Sequence, residues 1–250
     1  MAYVYGMHAV DALLRRNPKS VRVLYLQSGR RDRRMLTIET LAHEQGVTTV
    51  REEKAILAER VVGRHQGVIA ELDGDGDVSD AKWDEARLLA HLEGARDSVL
   101  LLVLDGITDP HNLGACLRSA DAAGVDAVIA PRDGAADITA VVSKVACGAA
   151  ETVPFVRVTN LARTLQSLKR LGVWTYGADP QAEKVIYDKD LRGSVALVLG
   201  AEGRGLRRLT RETCDALVKL PMAGGVSSLN VSVAAGICLF EAVRQRVPAT

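Results

Sequence analysis

The chain has 250 residues, 48% of them hydrophobic, and a net charge of +1 at pH 7. This length allows one large domain or two smaller ones. No apolar run reaches the roughly 20 residues of a membrane-spanning helix, and residues 1–10 lack the charged start and apolar core of a signal peptide. These features exclude helical membrane proteins, and we expect a cytoplasmic protein.

The four cysteines, Cys116, Cys147, Cys214 and Cys238, are far apart in the sequence. None belongs to a CxxC pair or has a nearby histidine, so neither a zinc site nor a disulfide framework is indicated. We therefore expect all four to be small buried side chains.

Residues 1–72 alternate between helical and extended patterns, which predicts a compact α/β unit. Helices are predicted at 10–14, 35–43 and 52–62, and strands at 21–26, 47–50 and 68–72. This segment carries a net charge of +4.

A basic cluster within this unit consists of Arg30, Arg31, Arg33 and Arg34. Such a cluster can neutralise several phosphates of a nucleic acid. Solvated loop and helix-start residues are the alternative, because basic clusters are common on soluble proteins.

The next segment, residues 73–97, has a net charge of −5. It begins with DGDGDVSD, which lacks apolar periodicity and predicts a flexible joint, followed by a short helix from Trp83 to Leu92. A calcium loop is disfavoured, because its sixth position is Val78 where an EF-hand loop requires glycine.

Residues 98–250 contain continuous apolar runs that are typical of parallel strands covered on both faces. The strands are predicted at 98–105, 127–130, 153–158, 173–176, 195–199 and 216–220, which indicates an open, doubly wound α/β sheet. Ligands bind such sheets beyond the carboxyl ends of the strands. Three polar segments with glycines follow strand ends, at residues 109–120, 200–206 and 220–236.

The segment 220–236, LPMAGGVSSLNVSVAAG, has more polar groups than a helix start requires. Gly224 and Gly225 let the backbone turn, and Ser227 or Ser228 is predicted to cap the helix that follows. Asn230 and Ser232 are then available for a ligand, as are the free N–H groups of the helix start.

Common cofactor and hydrolase motifs are missing from the sequence. GAEGRG does not have the spacing of GxGxxG, and GxxxxGK[ST], GxSxG and HExxH do not occur. This disfavours a dehydrogenase and favours a ligand of about adenine size held mainly by backbone groups.

Three motifs carry a resemblance to a known family: NLGACLRSA at 112–120, LVLGAEGRGL at 197–206 and LPMAGGVSSLNVSVAAG at 220–236. In this order they resemble the motifs of the SpoU class of RNA ribose 2′-O-methyltransferases. YGMHAVDALLRR and HQGVIAEL, at 5–16 and 65–72, resemble the small substrate-binding domain similar to ribosomal protein L30e that many members carry.

The resemblance implies an L30e-like RNA substrate-binding domain at 1–72, an acidic linker with a short helix at 73–97, and a catalytic domain at 98–250. It also implies a deep trefoil knot in the parallel-sheet (SPOUT) domain, a homodimer, and S-adenosylmethionine as the cofactor. Within the class, the chain is most similar to enzymes that methylate a guanosine ribose in the peptidyl-transferase region of 23S ribosomal RNA. No metal is expected, because the methyl donor is already activated.

Site residues follow from the resemblance, position by position. The catalytic set is Asn112, Arg118, Glu202, Ser228 and Asn230, and the cofactor-binding set is Leu199, Gly200, Leu220, Met222, Ser228 and Leu229. Arg118 is marked as catalytic, and we favour a phosphate-binding, charge-stabilising role, since arginine stays protonated; a role as base is the alternative. Glu202 is expected to orient Arg118 or Asn112, and His111 is left as a residue that stabilises its turn.

Two rival hypotheses remain. One is a knotted RNA-binding protein that has lost its activity, and the other is a methyltransferase of the same class that acts on transfer RNA. The complete catalytic set argues against the first, and the L30e-like domain argues against the second.

Overall fold

The computed structural model describes residues 3–16, 18–61, 65–72, 83–95 and 98–247. The chain divides into two compact units, Met1–Lys82 and Trp83–Thr250. The predicted flexible joint at 73–80 lies outside the described residues, and so does position 78, on which the calcium loop was rejected. In the described part, no helix has the length and apolar character needed to cross a membrane.

The first unit is a four-stranded mixed sheet with helices on both faces. Its elements are β1 (Tyr3–Tyr5), α1 (Met7–Arg16), β2 (Val21–Gln27), α2 (Arg33–Glu44), β3 (Thr49–Glu52), α3 (Lys54–Arg60) and β4 (Val68–Leu72). The strand order is β1-β4-β2-β3, with β4 antiparallel to both neighbours and β3 parallel to β2. Leu24, Leu26 and Ala70 pack against α1 and α2, whereas Ile69 packs with Leu57 of α3.

The second unit begins with α4 (Glu85–Glu93) and then alternates between strands and helices. Its further elements are β5 (Leu100–Asp105), α5 (Pro110–Ala122), β6 (Ala127–Pro131), α6 (Ala140–Ala146), α7 (Ala149–Thr152), β7 (Phe155–Val158), α8 (Leu161–Arg170), β8 (Trp174–Ala178), β9 (Val195–Gly200), α9 (Arg208–Thr213), β10 (Ala216–Val218) and α10 (Val231–Arg246).

All six strands of this unit are parallel, in the order β10-β8-β9-β5-β6-β7. Alternate residues of β5 face opposite layers: Leu102 packs in the layer of α5, α6, α7 and α10, and Leu101 packs in the layer of α4 and α8. The strand is therefore buried on both faces, as its uninterrupted apolar run predicts. The expectation of an α/β fold with a parallel sheet is confirmed.

Helix α5 is fixed at the edge of the sheet by its first residues and by a glycine. The Asp109 carboxylate accepts from the backbone N–H of His111 at 2.9 Å, and Pro110 occupies the first turn. A Cβ on Gly114 would lie 2.7 Å from Val145 Cβ of α6, so only glycine allows these helices to approach so closely. His111 is exposed at the turn.

The start of α10 differs from the prediction. Asn230 is the N-cap, and its Oδ1 accepts from the backbone N–H of Ser232 at 2.9 Å. The expectation that Ser227 or Ser228 caps this helix is wrong, because the chain stays irregular through residue 229 and turns helical only at Val231. Serine and asparagine are equally good caps, so local preference does not choose between them.

The cysteines are less uniformly buried than expected. Cys116 and Cys238 are buried and Cys214 is half-buried, but Cys147 is exposed. Cys147 lies in the bend between α6 and α7 with a φ of 54°, where the turn directs the side chain outward. The expectation that all four are buried is therefore wrong for Cys147.

Candidate active site

Three loops meet at the carboxyl edge of the sheet in the second unit. They follow β5, β9 and β10 and lead into α5, α9 and α10. Strands β5 and β9 are neighbours in register, with Asp105 opposite Gly200, so their loops leave the sheet side by side. The three sequence motifs therefore lie at the edge where parallel sheets bind ligands.

Asn230 joins the three loops through hydrogen bonds. Its Nδ2 donates to Asn112 Oδ1 at 2.9 Å and to Glu202 Oε1 at 2.6 Å. Its Oδ1 accepts from the backbone N–H and the hydroxyl of Ser232, at 2.9 and 2.6 Å. All four hydrogen-bonding positions of the amide are used, so Asn230 fixes the geometry of its neighbours.

Asn112 and Glu202 keep polar atoms for a ligand. Asn112 is only 8% exposed, and its Nδ2 has no hydrogen-bond acceptor among the described residues. Glu202 is exposed, and its Oε1 also accepts from the N–H of Val231 at 3.4 Å, which leaves Oε2 free of described partners. An amide donor and a carboxylate oxygen thus stand next to each other at the site.

Arg118 lies further along α5 with an exposed side chain. No hydrogen bond or ion pair to another described residue holds its guanidinium. Glu202 contacts Asn230, and through it Asn112, but it is not linked to Arg118 in the described part of the chain. The guanidinium is therefore free to meet an incoming anion.

The loop after β9 makes a tight turn on itself. Ala201 and Gly205 form an antiparallel bridge, in which the Gly205 N–H donates to the Ala201 carbonyl at 2.8 Å. A Cβ on Gly200 would overlap backbone atoms of Gly205 and Leu206. The chain therefore requires glycine at position 200. The preceding Leu199 is buried on the side of the sheet that carries α5 and α10.

The residues of 220–229 offer unpaired backbone to a ligand. None of their N–H or C=O groups is hydrogen-bonded to another described residue. Leu220, Met222 and Leu229 are half-buried, whereas Ser228 is exposed and has no described hydrogen bond. Free backbone donors and acceptors next to apolar side chains are suited to an adenosine-type cofactor, so the donor set of this segment fits S-adenosylmethionine.

The thiol behind the site is not a nucleophile. Cys116 lies on α5, and burial, together with the negative charge of Glu202, raises its pKa to about 12. The thiol is therefore neutral at physiological pH, and only the thiolate is strongly nucleophilic.

The arginine cluster of the first unit is only partly free. Arg30 forms an ion pair with Asp32, and its Nη1 donates to the Gln66 carbonyl at 2.5 Å. Asp32 also caps α2. Arg31, Arg33 and Arg34 are exposed, and their side chains have no described partner. Three of the four predicted RNA-binding arginines are therefore available for phosphate.

Sequence reasoning missed Asp105 and Arg207, which lie at the same edge of the sheet. The Arg207 backbone N–H donates to Asp105 Oδ2 at 2.8 Å across 102 positions of sequence. The one sequence signal is an aspartate that ends an otherwise apolar strand, LLLVLD.

Comparisons with known proteins agree with the motifs. Residues 99–240 match the model of the SpoU rRNA Methylase family, and residues 3–75 match a model described as RNA 2′-O ribose methyltransferase substrate binding. The 23S rRNA (guanosine-2′-O-)-methyltransferase RlmB of Pseudomonas syringae pv. tomato is 56% identical over 244 residues, which is 97% of this chain and 95% of that protein.

Two solved structures are similar to the chain. The SpoU methyltransferase AviRb from Streptomyces viridochromogenes, in complex with the cofactor AdoMet, has a TM-score of 0.64 at 24% identity, covering 98% of this chain and 90% of that one; this likeness concerns the fold. The A. aeolicus TrmH/SpoU tRNA modifying enzyme has a TM-score of 0.56 at 30% identity, covering 65% of this chain and 84% of that one. The chain belongs to the SpoU rRNA methylase family.

Proposed function

We propose that this protein transfers the methyl group of S-adenosylmethionine to the 2′-hydroxyl of a guanosine in 23S ribosomal RNA, in the peptidyl-transferase region. The observation that carries the proposal is the hydrogen-bonded group of Asn112, Glu202 and Asn230 beside the unpaired backbone of 220–229. The RlmB relative, matched over nearly its whole length, supports the substrate. We propose a cytoplasmic location, which a ribosomal substrate supports.

S-adenosylmethionine supplies an activated methyl group when it is bound. Backbone groups of Gly200, Leu220 and Leu229 would hold it, with Leu199, Met222 and Ser228 nearby. Asn112 and Glu202, fixed by Asn230, orient the ribose so that its hydroxyl oxygen is aligned with the methyl carbon. Alignment of this kind supplies about 7 to 11 kcal/mol in favourable cases.

The ribose hydroxyl must lose its proton, to solvent water or to a basic side chain, as the methyl group leaves the donor sulfur and bonds to the oxygen. Arg118 binds the phosphate beside the target ribose and stabilises the negative charge that develops on the oxygen. Its exposed side chain without described partners suits this role. The alternative is that Arg118 acts as the base. The pH dependence of the methyl-transfer rate distinguishes the two roles.

The finer features of the fold belong to the same proposal. We propose a deep trefoil knot in the second unit, as the resemblance to the family implies. Contact between the loop before β9 and the end of α10 supports it: the Gln245 amide donates to the Lys189 carbonyl at 3.0 Å, and Arg246 Nε donates to the Leu191 carbonyl at 2.9 Å. The first unit is proposed as an L30e-like domain that binds substrate RNA, a role supported by the family model for residues 3–75.

A homodimer is the proposed assembly. Val233 and Phe240, two helical turns apart on α10, are each 49% exposed and present one apolar face, which a second copy of the chain would cover. We expect Phe240→Glu to yield a monomer in light scattering, whereas Leu36→Glu, an equally exposed position of the first unit, leaves the mass unchanged. A wild-type protein with the mass of one chain contradicts the proposal.

The free arginines of the first unit predict a salt-dependent interaction with RNA. Replacing Arg31, Arg33 and Arg34 by glutamine should weaken RNA binding and reduce the salt slope by about 0.7 to 0.9 for each phosphate that the protein no longer neutralises. Arg30→Gln should have a smaller effect, because Arg30 is already engaged by Asp32 and Gln66. Affinities measured at several salt concentrations test this, and an unchanged slope shows that the cluster does not touch phosphate.

The function itself is tested by mapping 2′-O-methyl groups in ribosomal and transfer RNA from cells with and without the protein. We expect one guanosine mark in 23S RNA to disappear and to return with the purified enzyme and S-adenosylmethionine. Loss of a mark in transfer RNA alone would favour the rival substrate. An unchanged map in both RNAs would favour an inactive RNA-binding protein.

A further inference from the structure

We propose that Asp105 and Arg207 form a positioning pair that holds the loop of residues 201–206 in the geometry that the active site requires. The inference rests on the proposed function of that site and assigns a role to residues outside the catalytic and cofactor-binding sets. Neither residue is suggested to touch the cofactor or the RNA.

Asp105 is a buried carboxylate with a single partner residue. It ends β5 and is 1% exposed. Its Oδ2 accepts the Arg207 backbone N–H at 2.8 Å, and Arg207 Nε lies 3.6 Å from its Oδ1. Among side-chain polar atoms of the described residues, only this Oδ1 is buried without a hydrogen bond. Arg207 is therefore the one described cation paired with Asp105.

Arg207 connects Asp105 to a third loop. Its Nη2 donates to the Asp133 carbonyl, in the loop after β6, at 3.3 Å. A Cβ on Gly106 would lie 3.2 Å from Nη2, and one on Gly134 would lie 2.9 Å from it. Two glycines with positive φ, 81° and 66°, thus leave the space that the guanidinium fills. The arginine links the loops after β5, β6 and β9.

The pair fixes the far end of the loop that carries Glu202. At the near end, Gly200 is held in the sheet opposite Asp105, and the Ala201–Gly205 bridge closes the turn. At the far end, the Arg207 N–H is tied to the same aspartate. Asp105 therefore lies beside both ends of a short loop, with its backbone next to Gly200 and its carboxylate on the Arg207 N–H. The 2.6 Å hydrogen bond from Asn230 to Glu202 depends on where that loop lies.

A buried ion pair is weak evidence for a role in stability. Removing two charges from water is costly, and apolar replacements of similar size are often as stable. A carboxylate at this position does orient its neighbours, because its oxygens accept hydrogen bonds only from donors in defined places. This favours a role in positioning over one in stability.

The test uses Asp105→Asn, Arg207→Gln and the double variant of the full-length protein. Asp105→Asn keeps an acceptor for the Arg207 N–H but removes the charge, and Arg207→Gln keeps the backbone bond but leaves the carboxylate unpaired. The control is Arg208→Gln, because Arg208 is the exposed neighbour and its one described partner is Glu212, at 2.9 Å. Readouts are the Kd for S-adenosylmethionine by calorimetry, amide exchange of residues 201–206, and the melting temperature.

We expect each single variant to raise the Kd about tenfold and to speed amide exchange in 201–206, with Arg208→Gln matching the wild type. The double variant should recover part of the lost cofactor affinity, because two neutral amides leave no buried charge unpaired. If Asp105→Asn does not fold, Arg207→Lys, which keeps the charge but loses the reach to Asp133, carries the same test. A folded variant with unchanged Kd and exchange overturns the proposal.

Coupling to Glu202 separates positioning from general stability. If Asp105 acts by placing Glu202, then Asp105→Asn combined with Glu202→Gln should lower the methyl-transfer rate no further than the more damaging single change. If the rate losses of the two substitutions multiply in the double variant, Asp105 does not act by placing Glu202. Cofactor binding and amide exchange are measured without RNA, so they test the pair of Asp105 and Arg207 whatever the RNA substrate is. Failure to methylate 23S RNA would count against the proposed function alone.

Discussion

Replacing Gly200 by alanine is expected to lower the rate of methyl transfer at least about a hundredfold. The added methyl group would overlap the backbone of Gly205 and Leu206, and backbone cannot move aside as a flexible side chain can. The loop of 201–206 must then shift away from β9 and carry Glu202 with it. A displacement of about 1 Å costs roughly a hundredfold in rate, so we expect at least that loss, together with weaker binding of S-adenosylmethionine.

The matched control for Gly200→Ala is Gly193→Ala. Gly193 does not require a positive φ, and a Cβ placed there meets no atom within 4 Å. Both variants add one methyl group to the second unit, but only Gly200→Ala disturbs the site. Calorimetric titration and turnover measurements compare them, and near-normal cofactor affinity of Gly200→Ala would show that the loop can move without affecting the site.

The sequence predicted the strands of the second unit well, for a simple physical reason. A parallel strand covered on both faces must be apolar at every position, and runs such as that of β5 are difficult to mistake. The order of the strands was not predictable in the same way. Insertion of β9 between β8 and β5 depends on packing between distant parts of the chain, and no local pattern records it.

Within the site, residue type was easier to predict than pairing. Asn112, Glu202 and Asn230 were all identified from the motifs, but the expected partner of Glu202 was Arg118 or Asn112. The structure instead places Asn230 between Glu202 and Asn112. This arrangement depends on where α10 begins, and serine or asparagine could equally have been its cap.

The basic cluster shows a similar limit. Four arginines within five positions predict a positive surface, yet Arg30 is neutralised by Asp32 within the same segment and also donates to the Gln66 carbonyl, 36 positions away. Counting charges along the sequence cannot detect such pairing. Asp105 and Arg207, 102 positions apart, are the most widely separated of the described ion pairs, and their relation exists only in the folded sheet.

Arg118→Ala is expected to lower kcat by about a hundredfold or more while the Kd for S-adenosylmethionine stays near that of the wild type. The guanidinium has no described partner, so its removal breaks no described hydrogen bond or ion pair, and stability should change by less than about 0.5 kcal/mol. Arg170→Ala is the control, because Arg170 is an exposed arginine on α8, in the helical layer on the other face of the sheet, and its described hydrogen bonds, to the Gln166 carbonyl at 3.4 Å and the Ser167 hydroxyl at 3.1 Å, stay within that helix.

Arg118→Lys separates the two roles considered for this residue. A lysine keeps the positive charge but not the planar group with several donors, so a charge-stabilising role predicts partial recovery of kcat with an unchanged pH profile. A role as base predicts a pH profile that shifts to follow the lower pKa of lysine. Full turnover by Arg118→Ala would remove Arg118 from catalysis and leave proton removal to the group around Asn112 and Glu202, whose free amide and carboxylate oxygen lie at the site.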